Sequence, residues 1–306
     1  MYYPRIVLDT DINMSKIFRG GSENWRIHLD AAATFVPALL AATTQRSTSP
    51  YYESGKQDGS ILHFEDDTVI RFLLGSFISI DIISCASTRS SPFLELDHKF
   101  VLARIDLENL TGCRNWAMML IFEISLLDKW KKETEKVHKL SIMELVKRGR
   151  QIEERLRDRL VGIENEDLAK NFSENNATNY TEITKIFGLA AMTYLYVVIF
   201  GAYPELPEII ESVSKTIFAF QNLTDTKRLR NLVWPFCISG CCLALDSQYT
   251  IFRDLLSLAG ITQSTVGACL EAFKIIEACW EARKTCSCNY DWVSAMNKRG
   301  HLVLLS

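Results

Sequence analysis

Apolar residues recur at intervals of three and four along most of this chain, which is the spacing of one face of an α-helix. In the first half, the pattern predicts a helix that Ser22 caps, a second that begins at Asp66-Asp67, and a long third over residues 113–139. The second is apolar on most sides and is therefore predicted to be deeply buried. Pro37 should kink the first helix, and the polar residues 43–60 are predicted to form a loop.

A capping-box pattern marks the start of the next helix, because Ser141 is followed three residues later by Glu144. Its predicted apolar face carries Leu145, Ile152, Leu156 and Leu160. The opposite face is rich in both bases and acids, which leaves two interpretations, a phosphate contact or a solvated face with local ion pairs. The interleaving of the two charges favours ion pairs. The polar, Asn-rich residues 162–181 are predicted to form a second loop.

The segment 186–204 contains no charged residue and approaches the length of a membrane span. However, it contains Gly188, Thr193 and three tyrosines, and it ends in a Gly-Ala-Tyr-Pro sequence. A single segment of this kind among amphipathic helices is typical of the central buried helix of a core. We therefore predict burial within the protein and no membrane contact.

The C-terminal third is predicted to be helical throughout. Pro207 is placed for the first turn of one helix. Further helices are predicted over residues 228–245, 246–258 and 264–284, followed by a short helix and an apolar tail in 291–306. No alternation of period two indicates a strand, so we expect an all-α fold without a sheet. The predicted organisation is a short lead-in of residues 1–21 and one multi-helix domain of residues 22–306.

Composition excludes some classes of function. The chain has 306 residues, is 48% hydrophobic and 23% charged, and has only seven prolines and 14 glycines, which favours a large helical core. Its net charge of −3 and its pI of about 6.0 do not suit a protein that neutralises many phosphates. We therefore expect no direct DNA binding from this chain alone.

The nine cysteines show neither a disulfide framework nor a zinc motif. Cys237, Cys241 and Cys242 lie close together, as do Cys286 and Cys288, but both groups lack partner histidines or CxxC pairs. Their apolar surroundings predict small buried side chains. Motifs for a serine nucleophile, a zinc protease and a phosphate-binding loop are also absent from the sequence. We assign no catalytic, cofactor-binding or metal-binding residue and expect no cofactor.

One enzymatic alternative is a Mg²⁺-dependent helical enzyme of the terpene-synthase type, in which clustered carboxylates hold Mg²⁺ against a diphosphate. Asp66-Asp67 could supply the first acidic motif, and the stretch 166–174 could supply the second. Both motifs depart from the expected pattern, because Ile70 replaces a third acid and Lys170 replaces a hydroxyl. A separate hypothesis concerns Trp116, Tyr194, Tyr196 and Trp234, which either line a ligand pocket or pack the core.

Several aromatic, Gly and Pro stretches carry a resemblance to a known family. They are Asn24-Trp25-Arg26-Ile27-His28-Leu29, the stretch from Leu110 to Trp116 followed by Glu123-Ile124 and Trp130-Lys131, Tyr203 to Ile209, Leu232 to Cys241, and Cys279 to Arg283 followed by Asp291-Trp292 and Gly300. In this order and spacing, the chain resembles the fungal-specific transcription factor domain of the acriflavine-sensitivity control protein type, over residues 16–306. These positions serve packing and turns, so they indicate the fold more than an activity.

The resemblance implies a nuclear regulator of fungal transcription that is not an enzyme. Members of this family carry an N-terminal zinc cluster that reads DNA, whereas this chain has no cysteine before Cys85. We therefore expect either a fragment or a regulatory domain that acts without its own DNA reader. The expected partners are co-regulators or related zinc-cluster factors, a second copy of the chain, or a small-molecule effector. A further alternative is a free-standing, dominant-negative protein that inhibits full-length relatives by dimerising with them.

Overall fold

The computed structural model describes residues 60–170, 178–261, 267–285 and 289–306, and part of 25–40 (residues 28, 32, 35, 38 and 39 are left out). Within these ranges, the side chains of 60–67, 167–170, 178, 179 and 285 are not described. The predicted loop at 43–60 therefore lies outside the described residues except for Ser60, as do Ser22 and the lead-in. The described residues are mainly helical and contain no β-strand, which confirms the predicted all-α fold.

The first described helical residues belong to the segment 25–40. Its apolar positions face the core as predicted, because Trp25, Leu29 and Val36 are almost fully buried. Pro37 lies within this helical segment. The indole Nε1 of Trp25 donates a hydrogen bond to the backbone oxygen of Leu302 at 3.4 Å, so this segment contacts the end of the chain.

Four helices form the first half of the described core: α1 Ser60–Thr88, α2 His98–Leu102, α3 Glu108–Thr111 and α4 Asn115–Lys136. Helix α1 begins earlier than the predicted start at Asp66, and it is deeply buried from Leu74 onward, as predicted. Helix α4 is shorter at both ends than the predicted 113–139. Gly112 precedes it with a φ of 75°, a left-handed conformation that ends α3 and that glycine adopts readily.

Helices α5 Ile142–Lys170 and α6 Thr178–Phe200 are adjacent in sequence and in space. The hydroxyl of Ser141 accepts a hydrogen bond from the amide of Glu144, as the capping box predicts. The predicted loop over 162–181 was wrong for most of its length, since both helices extend into it. The exposed Gly162 costs a helix only about 1 kcal/mol, and the next turn is anchored by Ile163, which is buried.

The remaining helices are α7 Pro207–Gln221, a 3-10 helix Thr226–Asn231, α8 Val233–Gly240, α9 Asp246–Leu258, α10 Ala268–Thr285 and α11 Trp292–Lys298. Pro207 occupies the first turn of α7, as predicted. The continuous helix predicted over 228–245 was wrong. The ring of Pro235 clashes with the carbonyl four residues before it in a regular helix, so the chain breaks at Leu232 and resumes as α8.

Helix α6 is the centre of the fold, because it packs against α4, α5, α7 and α8. By length and composition, the stretches Thr68–Thr88 and Tyr180–Phe200 are apolar enough to cross a membrane, but 72% and 83% of their apolar windows are buried inside the protein. This confirms the predicted burial of the uncharged segment 186–204, most of which belongs to α6. The helix begins well before the predicted segment, and it ends at Phe200, where Gly201 adopts a φ of 98°.

Candidate functional site

A buried ionic cluster joins three distant parts of the chain at the end of α1. Arg89 follows α1 with a φ of 51° and pairs with Asp128 of α4. It also donates to Asp291, just before α11, at 2.6 Å. Lys132 donates to the backbone oxygen of Arg89 at 2.7 Å and pairs with Asp128 at 2.8 Å. The cluster therefore fixes the C-terminal segment against α1 and α4.

The protonation of Asp128 depends on this cluster. Burial alone would raise the pKa of its carboxyl, but the hydrogen bonds and charge of Arg89, together with Lys132, outweigh burial and hold the pKa below its ordinary value. A carboxyl with a lowered pKa in the folded state stabilises the fold above its ordinary pKa, and this contribution is lost as the pH falls through the lowered pKa.

We therefore expect the contribution of Asp128 to stability to disappear in acid. Near neutral pH, Asp128→Asn should lower the free energy of unfolding by about 2 kcal/mol, because it weakens hydrogen bonds between charged groups. This difference should persist down to about pH 5 and narrow below the ordinary pKa of 3.8, where the unfolded wild-type chain binds a proton at Asp128 while the folded chain still holds it ionised. Urea unfolding of both proteins across this pH range measures it. A difference that stays constant into acid would contradict this account.

A second buried polar group lies between α1 and α2. Asp81 accepts hydrogen bonds from the amides of Phe93 and Leu94 and contacts Nε2 of His98 at 2.8 Å. The other ring nitrogen of His98 contacts the backbone oxygen of Leu96, and the ring stacks on Phe122. Asp81 thus satisfies the backbone of the connection that follows α1, which is a structural role.

The seven described cysteines behave as small core side chains. They are Cys85, Cys113, Cys237, Cys241, Cys242, Cys269 and Cys279, and all are buried. A hydrogen bond with Cys241, together with burial, raises the pKa of Cys279 well above its ordinary value. Burial also raises the pKa of Cys242 to about 12 and that of Cys269 to about 11. This confirms the predicted burial for these seven, while Cys286 and Cys288 lie outside the described residues.

These thiols should be inert in the folded protein, because the thiolate is the reactive form and burial disfavours it. In native buffer near pH 8, we expect iodoacetamide to leave all seven unmodified, and in denaturant we expect it to modify all of them. Peptide mass spectrometry after brief labelling measures the modification of each cysteine separately. Rapid native labelling of Cys241 or Cys279 would show that the region between α8 and α10 opens readily.

The charged face of α5 forms local ion pairs. Arg148 pairs with Glu144 at 2.8 Å, and Arg157 pairs with Glu153 at 2.7 Å, each one helical turn apart. Arg155 reaches Glu123 of α4. The apolar positions Leu145, Ile152, Leu156 and Leu160 are buried as predicted. The interpretation of this face as solvated and ion-paired is therefore confirmed.

Two concave surfaces could accept a ligand or a partner. The first, which we call the α5–α7 groove, joins two adjoining depressions of about 240 and 530 Å³ that share Glu164, Leu189 and Lys215. Its apolar lining includes Leu160, Val161, Ile186, Met192 and Phe218. Its charged side chains have both signs, and two pairs form within the groove, Lys185–Glu164 at 3.5 Å and Lys215–Glu211 at 2.5 Å.

The second surface, which we call the Arg230 cleft, has a volume of about 240 Å³. Its apolar lining comprises Ile80, Ile83, Leu110, Met118, Phe187 and Leu305. Its polar lining comprises Ser79, Thr111, Arg230, Asn231 and Ser306. The sequence analysis did not predict this surface, because its lining comes from α1, α3, α4, α6, the 3-10 helix and the last residues described.

The four aromatic residues considered as pocket candidates mainly pack the core. Tyr194, Tyr196 and Trp234 are at most 4% exposed, and Trp116 is partly buried against the core. Tyr194 meets both Trp234 and Trp292 in edge-to-face contacts. Of the four, Tyr196 also lines part of the α5–α7 groove.

The acidic motifs of the enzymatic alternative gain no support. The side chains of Asp66 and Asp67 lie outside the described residues, and so does the later part of the stretch 166–174. The carboxylate of Glu166 pairs with Arg114 at 2.8 Å, which is a contact between α5 and the start of α4. Among the described side chains, no group of three or more His, Cys, Asp or Glu residues is arranged to hold a metal ion.

The described part of the chain forms a helical core with buried ion pairs and open clefts at its surface. Comparison with known proteins identifies the family. Residues 12–306 match the model of the fungal specific transcription factor domain, and the chain belongs to this family. No solved structure matches the chain.

Three relatives illustrate this membership. The trichothecene biosynthesis transcription regulator of Trichoderma arundinaceum is 32% identical over 85% of this chain and 63% of its own length. The protein of the same description from Fusarium sporotrichioides is 31% identical over 92% of this chain and 68% of its length. The ustiloxin B cluster transcription factor of Aspergillus flavus is 26% identical over 98% and 54%, respectively. The chain thus spans about half to two thirds of each relative.

Proposed function

We propose that this chain is the regulatory part of a transcription regulator that controls a set of genes for the biosynthesis of a small metabolite. The observation that carries the proposal is the family match over residues 12–306. Relatives named as regulators of trichothecene biosynthesis and of the ustiloxin B cluster support the metabolic assignment. The same relatives support a nuclear location and a role in binding rather than catalysis.

In this proposal, the chain acts through protein or ligand contacts and does not itself read DNA. The net charge of −3 supports this, because DNA binding depends on neutralised phosphates. Of the five arginines on α5, Arg148, Arg155 and Arg157 form ion pairs with glutamates, which leaves fewer free cations for phosphate contacts. In this proposal, the DNA-binding domain belongs to a partner or to a segment outside this chain.

The DNA part of the proposal is tested by fluorescence anisotropy of the purified chain with labelled duplex DNA at low and physiological salt. We expect affinity weaker than the roughly 10⁻⁴–10⁻⁶ M typical of non-specific DNA binders. The triple variant Arg148→Ala, Arg155→Ala, Arg157→Ala should bind no more weakly than the wild type. Tight, salt-sensitive binding that this variant loses would make the α5 face a nucleic-acid interface and overturn this part.

The regulatory part is tested by fusing the chain to a heterologous sequence-specific DNA-binding domain upstream of a reporter in a fungal host. The DNA-binding domain alone is the baseline. We expect the fusion to change reporter transcription, either upward or downward. A fusion that is present at a normal level and bound to the promoter, but leaves the reporter at the baseline, would contradict a regulatory role for this chain.

A further inference from the structure

The hairpin formed by α4 and α5 ends in a tip with exposed apolar side chains. Near the start of α5, Arg148 lies over the ring of Trp130 of α4. Further along α5, Arg155 pairs with Glu123, so the two helices run antiparallel. Residues 137–141 connect them. Around this connection, four apolar side chains are exposed: Val137 by 59%, Ile142 by 62%, Met143 by 85% and Val146 by 36%.

The exposed residues are separate from the face of α5 that packs against the core. That face carries Leu145, which is 1% exposed, and continues with Ile152. Val146 follows Ile142 by four residues and Met143 by three, so these three side chains share an exposed face of the helix. Exposed apolar patches with a polar rim mark interaction sites, and methionine is enriched at protein interfaces. The cluster is therefore suited to contact with another molecule.

Four exposed bases lie beside these apolar residues, and none of them forms an ion pair within the described part of the chain. They are Lys136, Lys139, Lys147 and Arg150. The stretch 136–150 contains five lysine and arginine residues and a single acid, Glu144, whereas the whole chain has a net charge of −3. The name tip patch is used below for the four bases together with Val137, Ile142, Met143 and Val146. The tip patch is thus a positively charged, partly apolar surface on an acidic molecule.

Hydrogen bonds hold the backbone of the connection in place. The amide of His138 donates to the backbone oxygen of Glu135 at 2.9 Å. The amide of Lys139 donates to the backbone oxygen of Thr134, also at 2.9 Å. Leu140 packs against the core. The tip patch is therefore formed before a partner binds, and such preorganisation lowers the entropic cost of binding.

The size and composition of the tip patch select among occupants. A stable interface between folded proteins takes roughly 20–30 residues a side, so a second copy of this chain gains little from the eight residues of the patch. Duplex DNA is bound largely through its phosphates, which would leave the apolar side chains uncovered. Helices that lie in a membrane interface present Trp, Phe or Leu, and the patch contains none of these. A short acidic protein segment with apolar anchors matches both the charge and the apolar centre.

We propose that the tip patch binds an acidic segment of a partner protein. Aliphatic side chains of that segment contact Ile142, Met143 and Val146, and its carboxylates contact the neighbouring lysines. The α5–α7 groove is larger, but acids and bases line it in similar number, so its charge favours no particular partner. The role of the tip patch in transcription rests on the proposed function, with the partner as a co-regulator, whereas its binding of acidic segments does not.

Fluorescence anisotropy of a labelled model peptide with the whole chain tests the proposal. The peptide Asp-Leu-Leu-Glu-Asp-Leu-Leu-Glu-Asp-Leu-Leu-Glu places its leucines on one helical face. One control peptide has serine in place of leucine, and another has lysine in place of the acids. We expect the acidic peptide to bind with a Kd of roughly 10–100 μM, as in weak, transient contacts, and each control to bind at least about tenfold more weakly. No binding of the acidic peptide at millimolar concentration, or equal binding of all three peptides, would overturn the proposal.

Variants of the apolar centre locate the site. Ile142→Ser combined with Met143→Ser should weaken peptide binding about tenfold, the effect of truncating a central contact. Both residues are exposed, so this variant should keep the wild-type fold, which circular dichroism checks. The matched control, Val161→Ser combined with Phe218→Ser, removes exposed apolar side chains from the α5–α7 groove and should leave binding unchanged. A loss of binding in the groove variant and not in the tip variant would overturn the assignment.

Variants of the bases test the charge. Lys136→Gln, Lys139→Gln and Lys147→Gln together should also weaken peptide binding about tenfold and reduce its dependence on salt. The matched control neutralises three exposed lysines elsewhere and should have a much smaller effect. These three are Lys99, Lys227 and Lys298. If the tip lysine variant loses binding while the Ile142→Ser, Met143→Ser variant binds in full, the patch attracts any polyanion and the proposal fails.

Other occupants are compared on the wild type and on the Ile142→Ser, Met143→Ser variant. We expect neither duplex DNA nor vesicles of phosphatidylcholine and phosphatidylserine to bind more tightly than the acidic peptide. Tighter binding of either that this variant loses would replace the peptide as the occupant. A dimer of the wild type, seen by sedimentation and lost in the variant, would make the occupant a second copy of the chain.

Failure of this proposal is distinguishable from failure of the proposed function, because the peptide measurements involve no transcription. In the reporter assay, the fusion that carries Ile142→Ser and Met143→Ser should change transcription less than the wild-type fusion. A chain that binds the acidic peptide but is silent in the reporter assay would contradict only the regulatory function. A regulatory chain that binds no acidic peptide would contradict only the assignment of the tip patch.

Discussion

Replacing Arg89 with methionine should lower the free energy of unfolding by about 3 kcal/mol, because breaking a buried ion pair leaves a buried charge without its partner. The side chain of Asp128 is 1% exposed and that of Asp291 is 11% exposed, so neither carboxylate can be solvated fully after the change. Lys132 still pairs with Asp128, which keeps the loss near the lower end of the range for such changes.

Denaturant unfolding followed by circular dichroism measures this loss. The matched control is Arg148→Met, which removes an exposed arginine from its pair with Glu144 and from the face of Trp130 and should cost only about 1 kcal/mol. Adding Asp128→Asn to Arg89→Met should recover part of the loss, because it removes the charge left behind. Equal effects of Arg89→Met and Arg148→Met would show that the cluster does not hold the three segments together.

The second large effect is expected at Trp292, where alanine should cost about 3–5 kcal/mol. The side chain is fully buried and meets Tyr194 in an edge-to-face contact. Its indole Nε1 donates to the backbone oxygen of Ser87 at 2.9 Å. Ser87 lies in the last turn of α1, where backbone oxygens lack a donor within the helix. Trp292 therefore contributes packing and also satisfies a helix end.

Two control variants separate these contributions. Trp292→Phe keeps most of the ring and loses the hydrogen bond, and it should cost about 1–3 kcal/mol. Trp280→Ala removes a partly exposed ring that stacks on Tyr249, and it should cost less than Trp292→Ala. Thermal and denaturant unfolding measure all three variants. A cost for Trp292→Ala no greater than for Trp280→Ala would mean that the segment 289–306 is not part of the core.

The spacing of apolar residues predicted the helices well where buried positions recur regularly and where Pro and Gly are few. The predicted bounds 246–258 match α9, and the buried face of α5 was identified residue by residue. Two predictions were wrong because a local signal was weighed incorrectly. The helix predicted over 228–245 breaks at Leu232, three residues before Pro235, and Gly162 is tolerated inside α5. In both, a single residue decides whether a helix continues.

The buried ion pairs of Arg89 and the lining of the Arg230 cleft could not be predicted, because both are formed by residues that are distant in sequence. Arg89 and Asp291 are separated by 202 residues, and no periodic pattern relates them. The lining of the Arg230 cleft extends from Ser79 to Ser306. The sequence shows which side chains are polar, but only the packing of the helices shows that Arg228 has an acidic partner whereas Arg230 does not.

The central claim, that this chain regulates a set of biosynthetic genes, is tested most directly by transcript profiling after deletion of its coding region from the host. We predict that transcripts of one group of biosynthetic genes change together and return to their original level when the wild-type coding region is restored. A version encoding Trp292→Ala should restore them less well, because it lowers the amount of folded protein. Transcripts that remain unchanged under conditions in which the protein is present would contradict the claim.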